Sequence, residues 1–385
     1  MPGERREIHV TETLGERIQR RRQDLGLTVT QLAKLMGVNR NTIANYESGK
    51  TEPSANDVMR LARALGCDVT ALLLETPPSH APRFAFRAHR VLRTDPQLLI
   101  TARKYLRAYQ EIEDIMGTRL TVRLPQYPLA PADSHHTQWI GMAADKVRDS
   151  CAMRDCGPEN IAYALESLGV RCLFFRYAGK DLDGFSTLQD DIPLVMLRDR
   201  DTSIERTIFS GAHELGHLVL HPQLFTLADR DADNGRDYEK EANHFAGCLL
   251  VPTNDLVYVW EKEGLHRLAP VYALLLLKRV FRVSFWCLRQ RLEQANLAHI
   301  DYPRLVADVK RLLGLRGRTN VESLEPEPLP SEMLQRSTRF ERLVYSAFMQ
   351  DHIGVAKVAE LLQITVEEAK ELTTAWMAPK YALVD

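Results

Sequence analysis

Residues 210–222 read SGAHELGHLVLHP, and the five at the centre, His213-Glu214-Leu215-Gly216-His217, decide what kind of chain this is. On an α-helix, positions i and i+4 lie on one face a turn apart. His213 and His217 can therefore turn an imidazole nitrogen each toward one metal ion. Glu214, about 100° further round the helix, can reach a water molecule without ligating the metal. Such a centre needs a third protein ligand and one open position. The pentapeptide alone is also compatible with two packed helix histidines whose hydrogen bonds are satisfied, so its surroundings must separate the two accounts.

Those surroundings favour the metal. Ala212, Leu215, Leu218, Val219 and Leu220 make the helix strongly apolar, as a buried active-site helix should be, and Gly216 allows another element to approach closely. A polar loop, DRDADNGRD (229–237), leads into a second helical stretch, EKEANHFAGCLLVP (239–252). This stretch carries Glu239 and Glu241, and a carboxylate there, 24 residues after His217 in the case of Glu241, can complete a site of two histidines and one glutamate. The two stand two residues apart and so occupy different faces of the helix. His244, Tyr238 and His221 are candidates for holding the ligands from outside or donating to a transition state.

The chain as a whole sets the frame. Its 385 residues call for roughly two to four domains. With 45% hydrophobic and 26% charged residues the composition is that of a globular protein, and a net charge of -1 confines any nucleic-acid contact to a local patch. MPGERREIHVTE (1–12) has no apolar core and does not read as a secretory signal. The longest apolar run, APVYALLLL (269–277), is too short to cross a bilayer. Cysteines 67, 151, 156, 172, 248 and 287 form no CxxC pair, and Cys151 with Cys156 makes no metal knuckle. A cytoplasmic, thiol-bearing protein without a membrane partner is the expectation.

The first 75 residues carry a different signal. TLGERIQRRRQDLG (13–26) sets Leu14, Ile18 and Leu25 on one face and stops at Gly26. Thr28 can cap TVTQLAKLMG, and VNRNTIANYESGK follows after a tight turn with Val38, Ile43 and Tyr46 at core spacing. Two further amphipathic helices, within PSANDVMRLARALGC and DVTALLL, complete the unit. In a helix-turn-helix reader the second helix enters the major groove. Here it presents Asn39, Arg40, Asn41, Thr42 and Asn45, residue types suited to adenine and guanine edges. Thr28, Gln31 and Lys50 lie where helix ends and loops touch phosphate, and Arg20, Arg21 and Arg22 add a basic cluster. The even balance of 11 basic and 10 acidic residues through Glu75 would also suit a protein-binding unit.

LTVTQLAKLMGVNRNTIANYESGKTEPS closely resembles the XRE, or Cro/phage-repressor-like, helix-turn-helix family; Ala33, Gly37, Ile43 and the ESGKTEPS tail stand where that family has them. The resemblance implies a five-helix domain that binds a palindromic double-stranded DNA operator as a homodimer. ERTIFSGAHELGHLVLHP with EKEANHFAGCLLVP resembles the ImmA/IrrE metallopeptidases, and GPENIAYALESLGVRCLFFRY, DGFSTLQDDIPLVML and VFRVSFWCLRQRLEQANL fit it too. Two departures are Ser210-Gly211 ahead of Ala212, and Gly247-Cys248. This second likeness implies one Zn2+ per chain on His213, His217 and Glu241, with Glu239 as the alternative third ligand and Glu214 as the base.

The expected fold is mainly α with a small α+β domain: a five-helix DNA-binding unit (10–76), a connector (77–135), a zincin-like metallopeptidase domain of helices and a short sheet (136–300), a linker (301–330) and a small helical C-terminal domain (331–385). VRCLFFRY (170–177) and IPLVMLR (192–198) read as strands with a turn-rich DLDGFS between them. Residues 83–107 hold seven basic side chains against one acidic and read as a solvated face or a DNA-steering one. The acidic Glu360, Glu367, Glu368 and Glu371 turn the helix-turn-helix-like end VAKVAELLQITVEEAKEL away from phosphate. The expected function is a transcriptional regulator, placed in the bacterial cytoplasm with the nucleoid. Its zinc endopeptidase would cleave a repressor protein, or the chain itself, in a stress, DNA-damage or mobile-element response. The competing expectation is a transcription factor that uses the peptidase fold, without catalysis, as a sensor or dimerisation body.

Overall fold

The computed structural model describes residues 12–24, 27–67, 69–73, 96–127, 136–176, 182–189, 191–199, 202–225, 237–316, 325–334 and 336–378. The chain divides into two compact units, one reaching Gln110 and joined by residues 189–191, the other holding the rest. Among the described residues no helix is long and apolar enough to cross a membrane.

The amino-terminal unit contains α1 (Leu14–Asp24), α2 (Val29–Met36), α3 (Arg40–Glu47), α4 (Ala55–Ala64) and α5 (Val69–Leu73), as expected, and the first part of α6 (Pro96–Ile115). Leu25 and Gly26, read as the end of α1, lie outside the described residues, as do 83–95 of the basic stretch. Local chemistry sets the ends. Thr28 caps α2 in a capping box with Gln31, Gly37 closes it in the left-handed conformation (φ 62), and Asn39 and Ser54 cap α3 and α4. Ile18, Leu32, Ile43, Leu61, Leu65 and Leu72 are fully buried and form the core.

Gly15 marks the tightest contact in this unit. A Cβ there would sit 2.5 Å from the carbonyl oxygen of Tyr46 and 2.7 Å from that of Glu47. Alanine improves helix propensity by up to about 1 kcal/mol, yet the clash is with backbone that cannot rotate away. We expect Gly15→Ala to destabilise this unit by about 1–3 kcal/mol, read as a lower denaturation midpoint; an unchanged or raised midpoint would refute the tight crossing of α1 and α3.

The second unit runs α7 (His136–Ser150), α8 (Met153–Cys156), α9 (Ile161–Ser167), β1 (Arg171–Phe175), β2 (Gly184–Gln189), β3 (Ile192–Arg198), α10 (Ile204–Leu220) and α11 (Tyr238–Leu250). It continues with α12 (Thr253–Lys262), α13 (Pro270–Phe281), α14 (Phe285–Gln294), α15 (Tyr302–Leu312), α16 (Arg339–Met349), α17 (Val355–Leu362) and α18 (Val366–Met377). The sheet order is β1-β3-β2, with β1 and β3 parallel and Leu173 opposite Met196. One reading needs correction here: the stretch taken as a turn, DLDGFS, runs into strand β2. Phe185, Ser186 and Thr187 are all buried on it, and Gly184 lets the strand lie where a Cβ would be 3.1 Å from the Met196 carbonyl oxygen. Asp and Gly signalled a turn, but pairing with β3 and burial of Phe185 outweighed that local preference.

Helix α10 carries HELGH and is buried along nearly its whole length, with Ser203 capping its start. Both of its inner glycines admit a neighbour. At Gly211 a Cβ would meet Ile161 Cγ1 at 2.5 Å, and at Gly216 it would meet the Ala242 backbone at 3.3 Å. The second contact brings α11 against α10, beside the two histidines.

Within the stretch read as a linker, residues 302–312 are helical and Glu325 is packed. Lys278 Nζ reaches Glu205 at 2.6 Å and Glu325 at 2.7 Å, and the Leu329 amide donates to Glu205. The start of α16 is tied down in a similar way. Arg339 joins Arg171 on the buried Glu113, and Arg342 reaches the buried Glu166. Carboxylates so deeply buried need partners of this kind, because an unpaired one would cost several kcal/mol, on the order of the 3–5 measured when a buried pair is broken.

Candidate metal centre and nucleic-acid interface

The i and i+4 spacing on α10 places the two histidine rings side by side, with Nε2 of His213 and Nε2 of His217 3.1 Å apart. His217 is fully buried and His213 nearly so. Close packing at Gly216 brings in the start of α11, where Asp237 caps the helix. Glu239 then reaches both rings, one carboxylate oxygen 3.3 Å from His213 Nε2 and the other 3.5 Å from His217 Nε2. His213, His217 and Glu239 offer ligand atoms that all lie within 4.8 Å of one another. Burial acts to raise the Glu239 pKa, but hydrogen bonding to His213 and His217 outweighs it and holds the carboxyl well below the usual range. Protons on the rings can occupy this convergence of acceptors, and a dication can replace them.

The two candidate glutamates have separate places. Two residues on a helix turn the side chain by about 200°, and Glu241 accordingly points elsewhere. Its carboxylate lies 2.7 Å from His221 Nε2 and 2.8 Å from His136 Nε2. The metal cluster identified among the described residues contains Glu239 rather than Glu241.

Glu214 is buried on the sheet side of α10 and accepts a hydrogen bond from Ser186 Oγ at 2.6 Å. Ser186 comes from β2, an edge strand of the described sheet. Sequence reasoning missed it, because its segment read as a turn. It also passed over Asn243, whose Oδ1 sits 2.9 Å from His213 Nδ1, and His136. For Asn243 a signal existed: it stands one turn after Glu239 and so shares its face.

The remaining candidates divide. His221 stacks its ring edge-on against Tyr238, with centroids 5.0 Å apart, and meets His217 at 3.1 Å between Nδ1 atoms. His244 hydrogen-bonds the Thr137 carbonyl oxygen at 3.2 Å and lies near Cys248 Sγ. Burial and the positive charge of Arg291 push its pKa down to about 4, so it is neutral. His244, His136, Glu241 and Asn243 help to line a cavity of about 360 Å³ beside the centre.

On the amino-terminal unit, Arg40 and Asn41 stand exposed at the start of α3, with Thr42 and Asn45 half-buried behind them and Ile43 pointing into the core. Asn39 is exposed, and its side chain accepts the Asn41 amide as the cap. Thr28 and Gln31 hold each other in their capping box, while Lys50 is exposed beyond α3. The triple-arginine cluster is corrected. Arg21 and Arg22 are buried, and Arg22 donates to Glu47 at 2.6 Å and to the Leu27 carbonyl oxygen. Arg20 pairs with Glu12. The apolar stem and fixed fork of a guanidinium suit it to such packing between helices.

Comparison with known proteins finds a match at each of the two regions. The family described as Helix-turn-helix matches residues 18–72, and the family described as IrrE N-terminal-like domain matches residues 165–293. The chain is 36% identical over 63 residues to Repressor protein C2 of Salmonella phage P22, covering 16% of this chain and 29% of that protein. It is 33% identical over 76 residues to the HTH-type transcriptional regulator DicA of Escherichia coli (strain K12), covering 18% of this chain and 56% of that protein. An uncharacterized HTH-type transcriptional regulator of Methanothermobacter thermautotrophicus is 47% identical over 49 residues, 13% of this chain and 71% of that protein. The matches to the first two thus span less than two thirds of those proteins. No solved structure matches the chain.

Proposed function

We propose that this chain, which belongs to the XRE-type helix-turn-helix regulators through residues 18–72 and to the IrrE N-terminal-like family through residues 165–293, is an operator-binding regulator with a zinc-dependent endopeptidase. The observation that carries the second half is the convergence of His213, His217 and Glu239 with Glu214 buried on the same helix. Two imidazole nitrogens and one carboxylate match the donor set and number of a catalytic zinc site. Bound there, Zn2+ would polarise a peptide carbonyl and acidify water.

The protein's own groups do the rest. Glu214 takes the proton from the attacking water and delivers it to the leaving amine. Ser186 donates to one of its oxygens, holding the carboxylate in orientation. Asn243 accepts from His213 Nδ1 and so leaves His213 Nε2 as the metal-facing lone pair. An extended substrate backbone can add to the β2 edge, which runs past Glu214 through Ser186. The substrate class is a repressor protein, or this chain itself, and the setting is a stress or mobile-element response. The helix-turn-helix match over residues 18–72, with relatives named as a phage repressor protein and a bacterial HTH-type transcriptional regulator, supports DNA as a partner; on a palindromic operator two copies of the chain would take the two half-sites.

The test pairs zinc content of the purified chain with cleavage of a candidate repressor and of the chain. One equivalent of zinc and cleavage abolished by chelation are expected; zinc without cleavage in any inducing condition would favour a non-catalytic sensor. For the DNA half, Arg40→Ala or Asn41→Ala should cost about 1–3 kcal/mol and relax specificity at one position, while Lys50→Ala should weaken all sequences alike and lower the salt slope by about 1. Uniform losses from Arg40→Ala and Asn41→Ala would place α3 on the backbone rather than on base edges.

A further inference from the structure

Glu241 has a geometry too specific for a bystander. Its carboxylate stands 2.7 Å from His221 Nε2 and 2.8 Å from His136 Nε2. An ionised carboxylate only accepts hydrogen bonds, so both rings donate to it through Nε2. A neutral His221 with its proton on Nε2 keeps a lone pair on Nδ1. The 3.1 Å contact between His221 Nδ1 and His217 Nδ1 then requires the proton of that pair to sit on His217. Nε2 of His217 is thereby left as a lone pair, and it is the atom that faces His213 and Glu239.

Burial makes this order of protons consequential. His217 and His221 are completely enclosed and Glu241 nearly so, so water competes little for these bonds. The sequence places the three members one turn apart along α10 and across to α11: His217, His221 at i+4, and Glu241 on the face of α11 that Glu239 does not use.

We propose that His221 and Glu241 are positioning residues, a carboxylate–histidine–histidine chain that fixes His217 in the tautomer and ring orientation presenting Nε2 to the metal, with His136 holding the far carboxylate oxygen. The inference rests on the reading of His213, His217 and Glu239 as a zinc site. It assigns the second glutamate of EKEANHFA to orientation, while the first ligates.

The test uses the full chain and Zn2+ alone. Affinity is measured by chelator competition for the wild type, His221→Leu and His221→Asn. Removing such an outer partner costs about 10–100-fold in metal affinity, and His221→Leu should show a loss of that size. His221→Asn should recover most of it, because its amide oxygen can accept from His217 Nδ1. In the wild type, 15N spectra of the histidine rings should find the proton on Nε2 of His221 and on Nδ1 of His217, a readout that does not depend on any variant folding. A proton on His221 Nδ1, or equal zinc affinity for the leucine and asparagine variants, overturns the proposal. Zinc binding unchanged by Glu239→Gln and by His213→Ala would instead overturn the zinc site itself. Zinc lost in those two and retained in His221→Leu defeats the positioning chain alone.

Discussion

Replacing Glu214 by glutamine is expected to slow peptide cleavage by orders of magnitude while zinc stays bound at one equivalent. The side chain is buried against β2 and is absent from the His213–His217–Glu239 cluster, so a neutral amide of the same shape leaves the three donors where they are. What it removes is the base. General acid–base catalysis contributes typically about 10²–10⁴-fold, and a rate lower by that factor should appear in kcat rather than in KM, since no binding contact is lost. Ser186→Ala tests the same assignment from the other side. Ser186 Oγ donates to Glu214 at 2.6 Å, so its loss should lower kcat by a smaller factor, with zinc and fold preserved. Cleavage by Glu214→Gln at the wild-type rate would remove Glu214 from the mechanism. Loss of zinc in that variant would mean that the carboxylate supports the metal instead.

This arrangement was partly legible in the sequence, and the limits have physical causes. Local signals reported local geometry well. Thr28 caps the helix it precedes, Gly37 takes the left-handed turn, and the four-residue spacing of His213 and His217 brings their Nε2 atoms to 3.1 Å. Gly216, read as a place of close approach, meets the backbone of Ala242. The signals failed where pairing across the fold decides. Asp183 and Gly184 suggested a turn, and the strand that starts at Gly184, with Ser186 on it, forms only because β3 offers a partner. The arginines at 20–22 read as one basic cluster, since charge is polar in any one-dimensional count; Arg21 and Arg22 are buried instead, Arg22 on Glu47 and the Leu27 carbonyl oxygen.

The largest effect on metal is expected from the neighbour of Glu241, not from Glu241. Glu239→Gln removes one of three converging donors, and its zinc affinity should fall by more than the 10–100-fold that an outer partner is worth. Glu241→Gln should lose less than Glu239→Gln, because an amide oxygen can still accept from His221 Nε2 while the charge that anchors His221 and His136 is gone. The two variants have the same composition and sit on one helix, so a difference between them reads the face of α11 directly. Spacing from His217 could not make this distinction: both glutamates lie within a turn of each other, and the choice rests on how α11 is rotated against α10. That rotation is set by Gly216 packing on Ala242, which puts the face of Glu239 and Asn243 against the histidines. Chelator-competition titrations of both variants decide it. Loss greater for Glu241→Gln would require α11 to be turned by about half a revolution, an arrangement incompatible with the Asn243–His213 bond.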